Sequence, residues 1–210
     1  IYSGRFNAPN RLMERKIKRM ADLILSIIII VLCMPLMILI CFAIKFYDGG
    51  PILYSQIRTG FMNKPFRVWK FRSMKVDAEK GKVQWARKFD SRITAIGNIL
   101  RKTRLDELPQ LINVISGQMT LIGPRPERPE IDSFLEKNII HYKCRYLVKP
   151  GLSGWAQVNY PYGASEEDAK AKLSLDLFYM RNFSILLDIL ILFKTMKLIF
   201  NAKGAIPSDG

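Results

Sequence analysis

Histidine and cysteine are nearly missing from this chain, which holds one of the former and three of the latter in 210 residues. With His141 alone and no clustered Cys/His spacing, a zinc site is not expected, and beside Tyr142 and Lys143 this histidine reads as a surface residue. Cys33 and Cys41 lie within a hydrophobic run and Cys144 stands apart, so no disulfide framework is visible; a reducing, cytoplasm-facing location fits. The sequence has no phosphate-binding P-loop signature, no nucleic-acid recognition motif, no internal repeat and no low-complexity tract. Acidic residues are scarce too: 18 Asp and Glu face 33 Lys and Arg, for a net charge of +15. Such an excess calls for an anionic partner, whether lipid headgroups, a phosphorylated substrate or nucleic acid.

The apolar run favours the first two. Leu23 to Ile44 carries no charge, and as a straight helix it would rise about 33 Å, close to the thickness of a hydrocarbon core. Both flanks are basic, with Arg11, Arg15, Lys16, Lys18 and Arg19 before the run and Lys45, Arg58, Lys64, Arg67, Lys70, Arg72 and Lys75 after it. Lys and Arg near a membrane segment prefer the cytoplasmic side, so both ends are expected to return to one face. Pro35 supplies a bend, because it lacks an N–H and its ring clashes with the preceding turn. The expectation is a re-entrant membrane helix over residues 15–47; the alternative is an ordinary proline-kinked span. Residues 1–14 read as a linker from an upstream region, 48–203 as a catalytic domain on the cytoplasmic face, and 204–210 as a tail.

Within that domain, Asp48-Gly49-Gly50-Pro51 signals a turn, and two stretches rich in aromatic and β-branched residues, 52–58 and 65–71, read as a β-hairpin joined by Gly60 to Lys64. Trp69 and Phe71 are expected in the hairpin core. Lys75 to Arg92 reads as a solvent-facing connection anchored by Trp85. Ile93, Ile96, Ile99 and Leu100 recur at helical spacing, and a second helix starts near Leu105 and stops at Ser116-Gly117. Phe183 to Phe200 is apolar but carries Asp188, Lys194 and Lys197; it reads as an amphipathic interfacial helix or a core helix. The fold class is α+β, mainly helical.

The densest chemistry lies in Arg101-Lys102-Thr103-Arg104-Leu105-Asp106-Glu107-Leu108-Pro109-Gln110, followed by Gly123-Pro124-Arg125-Pro126. Adjacent helical residues point about 100° apart, so Asp106 and Glu107 cannot face each other like a glycosidase pair. They can divide labour: one carboxylate as nucleophile, the other holding a hard divalent ion such as Mg²⁺. Arg101, Arg104 and Arg125 then offer charge-assisted contacts to a diphosphate, with Pro124 and Pro126 stiffening the backbone around Arg125. A plainer alternative makes the carboxylates helix-start residues capped by Thr103, with solvated arginines.

Four strings occur in order: Lys-Phe-Arg-Ser-Met (70–74), Leu-Asp-Glu-Leu-Pro-Gln-Leu (105–111), Gly-Pro-Arg-Pro (123–126) and Pro-Gly-Leu-Ser-Gly-Trp-Ala-Gln-Val-Asn (150–159). Together they resemble the bacterial sugar transferase family, the monotopic phosphoglycosyl transferases, from about Arg15 to Phe200. The resemblance implies a re-entrant helix, a nucleoside diphosphate sugar donor, a polyprenyl phosphate acceptor, and a covalent phosphosugar intermediate on a carboxylate. By motif position it makes Asp106 the nucleophile and gives Glu107 a Mg²⁺-binding role. Lys70, Arg101, Arg125 and Asp176 are implicated as active-site positions, and Arg72 and Arg104 join them as candidate substrate contacts.

It further implies a bacterial inner-membrane location with the site on the cytoplasmic face, membrane lipids as partners, and no nucleic acid; a homo-oligomer is left open. Met34 stands before Pro35 where members often carry serine, and Lys149 before Pro150-Gly151 where arginine is common. The Tyr160–Ser165 continuation resembles the larger exopolysaccharide members and hints at a hexose phosphate. A rival from another class, a non-catalytic basic protein on anionic lipid, explains the charge but not the ordered motifs.

Overall fold

The computed structural model describes residues 9–76, 78, 90–161, 163 and 165–201, with side chains from residue 12 onward. Trp85, the tail 204–210 and residues 1–8 of the expected linker lie outside them. A single helix, α1 (Pro9–Asp48), begins inside that linker and contains Pro35. Proline is tolerated at its first position, and Gly49 at φ 68° ends it, with its N–H donating to the Lys45 carbonyl at 3.0 Å. Its 40 residues would extend about 60 Å if straight, twice a hydrocarbon core.

Both halves of α1 rest on the same body. Near its start, Arg19 donates to the carbonyls of Val114 and Ile115 at 2.6 and 2.8 Å, and buried Asp22 accepts from Thr120 Oγ1 and the Leu121 N–H. Farther along, Ile40 and Ile44 are buried with Phe71 and Leu100. Between and around these contacts, Leu32, Leu39, Phe42 and Phe46 are exposed.

The hairpin pairs β1 (Leu53–Thr59) antiparallel with β2 (Pro65–Phe71), from Leu53 opposite Phe71 to Thr59 opposite Pro65. A 3-10 turn, Phe61–Asn63, closes it, with Met62 and Asn63 both at positive φ. Phe71 lies in the core against Ile40, Ile44 and Leu100, whereas Trp69, two residues earlier on the same strand face, is exposed, a correction to its expected place: burial on that face is confined to its Phe71 end, and the buried neighbour of Trp69 is Val68 on the opposite face. Next comes α2 (Ala95–Lys102), capped by the Thr94 hydroxyl accepting from Gly97 N–H at 2.9 Å. A 3-10 helix, Leu105–Gln110, then runs into α3 (Leu111–Ile115).

A parallel pair that the sequence did not announce follows: β3 (Thr120–Ile122) beside β4 (Gly151–Ser153). It joins two distant motifs, since Gly123 N–H donates to Ser153 and Gly151 N–H to Pro124, both at 2.8 Å. A Cβ on Gly151 would fall 2.1 Å from the Gly123 nitrogen, so glycine is required for this approach. Between the strands lie α4 (Pro129–Asn138) and a 3-10 helix, Tyr142–Leu147. His141 is exposed, as expected.

The chain finishes with α5 (Trp155–Asn159), α6 (Glu166–Arg181), started by a Ser165/Asp168 capping box, and α7 (Ile185–Phe200). The last helix has one side in the core and an apolar side exposed. Ile191 is fully buried and Asp188 is buried against Lys18 and Tyr179, while Leu186, Phe193 and Phe200 face outward.

Candidate active site

A cavity of about 700 Å³ opens between the hairpin, the Leu105–Gln110 turn, the Gly-Pro-Arg-Pro loop and α6, a size suited to a small organic ligand. Lys70, Arg72, Arg101, Arg104, Asp106, Glu107, Arg125 and Asp176, all singled out from the sequence, line it. The chain reaches this arrangement through Arg104, which adopts the left-handed conformation (φ 55°, ψ 17°) between α2 and the 3-10 helix. That conformation is costly for a residue with a Cβ and sits next to the two carboxylates. Thr103 does not cap the turn; its hydroxyl donates back to Ile99 and Leu100 carbonyls. The helix-start alternative therefore fails for Thr103, and the arginines are not merely solvated.

The two carboxylates have opposite surroundings. Glu107 Oε1 accepts from Lys70 Nζ at 2.7 Å and Arg125 Nη2 at 2.5 Å, while Oε2 accepts from Arg125 Nη1 at 3.3 Å and lies 4.0 Å from Arg104. Burial alone would raise its pKa, but Arg125 and Lys70 override that and hold it well below the usual carboxylate range. Asp106 is 7% exposed, and among the described residues no hydrogen bond or ion pair reaches its carboxylate. Burial pushes its pKa up to about 6, against the pull of Lys70, with the Glu107 charge adding to the rise. Lys70 is pushed below its usual value by burial, and Glu107 opposes that shift.

The remaining candidates divide between the ligand-facing wall and its support. Arg101 Nε donates to Ser73 Oγ at 2.9 Å. Arg72 is buried and forms an ion pair with Asp48 at the end of α1, which ties the hairpin to the membrane-type helix. Asp176 is 2% exposed and accepts from Arg145 Nη2 at 3.2 Å, and its pKa is pushed up to about 6 by burial despite that arginine.

Sequence reasoning missed Arg145, Asp132, Tyr142 and Lys172. Arg145 donates to Tyr142 Oη, which in turn donates to Asp132 Oδ1 at 2.9 Å. Tyrosines at 142 and 146 on either side of an arginine at 145 were the available signal, a cation between aromatic side chains in one short helix. Lys172 Nζ donates to the Gly163 carbonyl at 2.6 Å, tying that carbonyl to α6.

A divalent ion is compatible with the donor set in one form. Among the described residues no group of three or more His, Cys, Asp or Glu side chains is gathered, so an ion here would rest on few protein ligands, with Glu107 the expected one. Mg²⁺ commonly takes one or two carboxylates and completes its shell with water and phosphate oxygens, which fits a single hard carboxylate donor in a polar cavity.

A family model described as bacterial sugar transferase matches residues 13–202. The UDP-N-acetylgalactosamine-undecaprenyl-phosphate N-acetylgalactosaminephosphotransferase of Aeromonas hydrophila is 45% identical over 190 residues, covering 90% of this chain and 45% of that protein. The UDP-glucose:undecaprenyl-phosphate glucose-1-phosphate transferase of Escherichia coli K12 is 40% identical over 193 residues, 91% of this chain and 42% of the relative. A protein of the same description from Caulobacter vibrioides is 35% identical over 190 residues, covering 90% of this chain and 71% of its own length. The chain thus spans less than half the length of the first two relatives.

Proposed function

We propose, starting from the fact that this chain belongs to the bacterial sugar transferase family, that it moves a sugar-1-phosphate from a UDP-sugar to undecaprenyl phosphate at a membrane surface. The observation that carries the reading is the contrast between Asp106, buried and without a hydrogen bond or ion pair to its carboxylate among the described residues, and Glu107, held by Lys70 and Arg125 in the same cavity wall. Such a carboxylate, with a pKa near 6, is ionised at neutral pH and free to act as a nucleophile.

In the proposed sequence, an Asp106 carboxylate oxygen attacks the β-phosphorus of the nucleotide sugar. The bond from that phosphorus to the bridging oxygen breaks, and UMP leaves with the electron pair. The acyl phosphosugar then receives an oxygen of the polyprenyl phosphate at the same phosphorus, and the aspartate departs as a carboxylate. No proton has to be removed from either attacking group. Lys70, Arg101, Arg104 and Arg125 supply positive charge around the phosphoryl oxygens, where fixed charges in a cavity favour the crowded transition state. Glu107 would hold Mg²⁺, which when bound would neutralise further charge on those oxygens.

The membrane part of the proposal is a re-entrant α1. Support comes from the contacts of Arg19 and Asp22 at one end and of Ile40 and Ile44 at the other with a single body. A spanning helix would carry its two ends to opposite faces, out of reach of one domain. The exposed apolar face of α7 adds an interfacial surface, with Lys18 joining α7 to α1 through Asp188 at 2.6 Å. A cytoplasmic-face location in a bacterial inner membrane and service to a surface or exported polysaccharide complete the reading.

The direct test is to incubate the nanodisc-held protein with a UDP-sugar labelled in the hexose, without lipid acceptor. A covalent adduct equal in mass to the phosphosugar, mapped to Asp106 and released by added undecaprenyl phosphate, is expected. Product formation with no adduct at any carboxylate would reject the two-step route.

A further inference from the structure

Arg145 lines the same cavity as Lys70, Arg101, Arg104 and Arg125, and it is among the most deeply engaged cations of the described residues. It is buried at 9% exposure and spends its guanidinium on four groups. Nη1 donates to Tyr142 Oη at 2.5 Å and lies 3.8 Å from Asp132. Nη2 donates to Asp176 at 3.2 Å and to the main-chain carbonyl of Arg125 at 2.7 Å. The guanidinium carbon also lies 5.0 Å from the centre of the Tyr142 ring. Burial works against its charge, but Tyr142, Asp176 and Asp132 hold it protonated.

One of those contacts reaches the reaction centre. Arg125 lies between Pro124 and Pro126, so its backbone is stiff but has few hydrogen bonds of its own to offer. Its carbonyl is fixed by Arg145 and its side chain grips Glu107 through both terminal nitrogens. Among the described residues, no hydrogen bond or ion pair joins Arg145 to Glu107.

The geometry points to Arg145 as a positioning residue: it sets the Gly-Pro-Arg-Pro loop so that Arg125 meets Glu107, and Asp176 and Asp132 serve to hold Arg145. This rests on the proposed function for its catalytic meaning and gives Asp176 a supporting task in place of a substrate contact. A guanidinium is needed because one planar fork must satisfy a phenol, a carboxylate and a carbonyl in different directions; a lysine ammonium at the end of a flexible stem cannot.

Two double-mutant cycles test it, one of which needs no substrate. In the first, thermal stability is compared for wild type, Glu107→Gln, Arg145→Lys and the double variant in nanodiscs. Since Arg145 acts on Glu107 only through Arg125, the Tm loss from Glu107→Gln should shrink by about half or more in the Arg145→Lys background. In the second, turnover should fall roughly tenfold for Arg145→Lys alone, while adding Arg145→Lys to Arg125→Lys should change the rate less than about twofold.

Additive losses in both cycles would overturn the proposal and leave Arg145 as an ordinary buried cation. A non-additive Tm cycle with no turnover in any protein would sink the proposed reaction and leave the positioning role standing. Should Arg145→Lys fail to fold, Asp176→Asn loosens the same clasp with the arginine in place, and the same two patterns decide.

Discussion

Arg125 holds Glu107 with both terminal guanidinium nitrogens, at 2.5 and 3.3 Å, while no hydrogen bond or ion pair from the described residues reaches the neighbouring Asp106 carboxylate. Two adjacent acids of the same cavity wall therefore meet different surroundings, Glu107 held by Lys70 and Arg125 and Asp106 by no hydrogen bond from the described residues. Their 3-10 geometry accounts for the split: successive side chains diverge by about 120°.

Glu107→Gln should destabilise the fold. Removing one partner of a buried ion pair costs about 3–5 kcal/mol because the other charge stays buried, and the glutamine carbonyl still accepts one bond, so the lower end of that range is expected. The folded pKa of Glu107 is depressed, which makes its contribution full at neutral pH and lost only as pH falls through that low value. Denaturant titration at pH 7 measures the loss, and a stability equal to wild type would mean that the clasp contributes nothing.

Asp106→Asn should do the opposite. The folded pKa of about 6 exceeds the ordinary 3.8, so the folded state binds a proton more readily than the unfolded chain between those values. Stability linked to this group is present at low pH and declines as pH rises through 6. At pH 7 the substitution should therefore stabilise by up to about 3 kcal/mol, with the gain disappearing below about pH 4. Melting curves of both proteins across that range check the prediction; a destabilised Asp106→Asn at pH 7 would contradict it.

The same titration should appear in the rate. Only the ionised carboxylate attacks phosphorus, so kcat/KM should fall as pH drops through about 6, with a rate at pH 5 about one-tenth of that at pH 7. A flat profile from pH 7 to 5 in protein that stays folded would remove Asp106 from the rate-determining chemistry.

Pro35→Leu restores an N–H to the middle of α1 and removes the ring that opposes a straight helix. Cysteines introduced singly by Met13→Cys and Tyr47→Cys, in a background without Cys33, Cys41 and Cys144, report which membrane face each exposed flank occupies. With Pro35 both should label from one side. With leucine, part of the population should label from opposite sides, and unchanged labelling would reject the bend-making role of this proline.

Much of the frame was legible in local pattern. The hairpin and α2 follow from short runs rich in aromatic and β-branched residues and from isoleucines at helical spacing, and the uncharged run gave α1 its core. What local pattern could not convey was long-range geometry. The β3–β4 pair has three residues per strand, too few for an alternating signature, and depends on two glycines approaching from 28 positions apart, Gly123 and Gly151. Arg145 escaped for a related reason, since its Tyr142 neighbour is local but Asp176 and the Arg125 carbonyl are not. Arg72 lines the cavity, but charge near a motif says nothing about which acid the fold brings to it; here that acid is Asp48.

The central claim is that Asp106 carries a phosphosugar between a nucleotide and a lipid. It is tested most directly by following UMP release from a panel of UDP-sugars with undecaprenyl phosphate and Mg²⁺, comparing wild type with Asp106→Asn in nanodiscs. The account predicts lipid- and metal-dependent turnover with at least one sugar and loss of that turnover in the variant. Near-normal release from well-folded Asp106→Asn would contradict it.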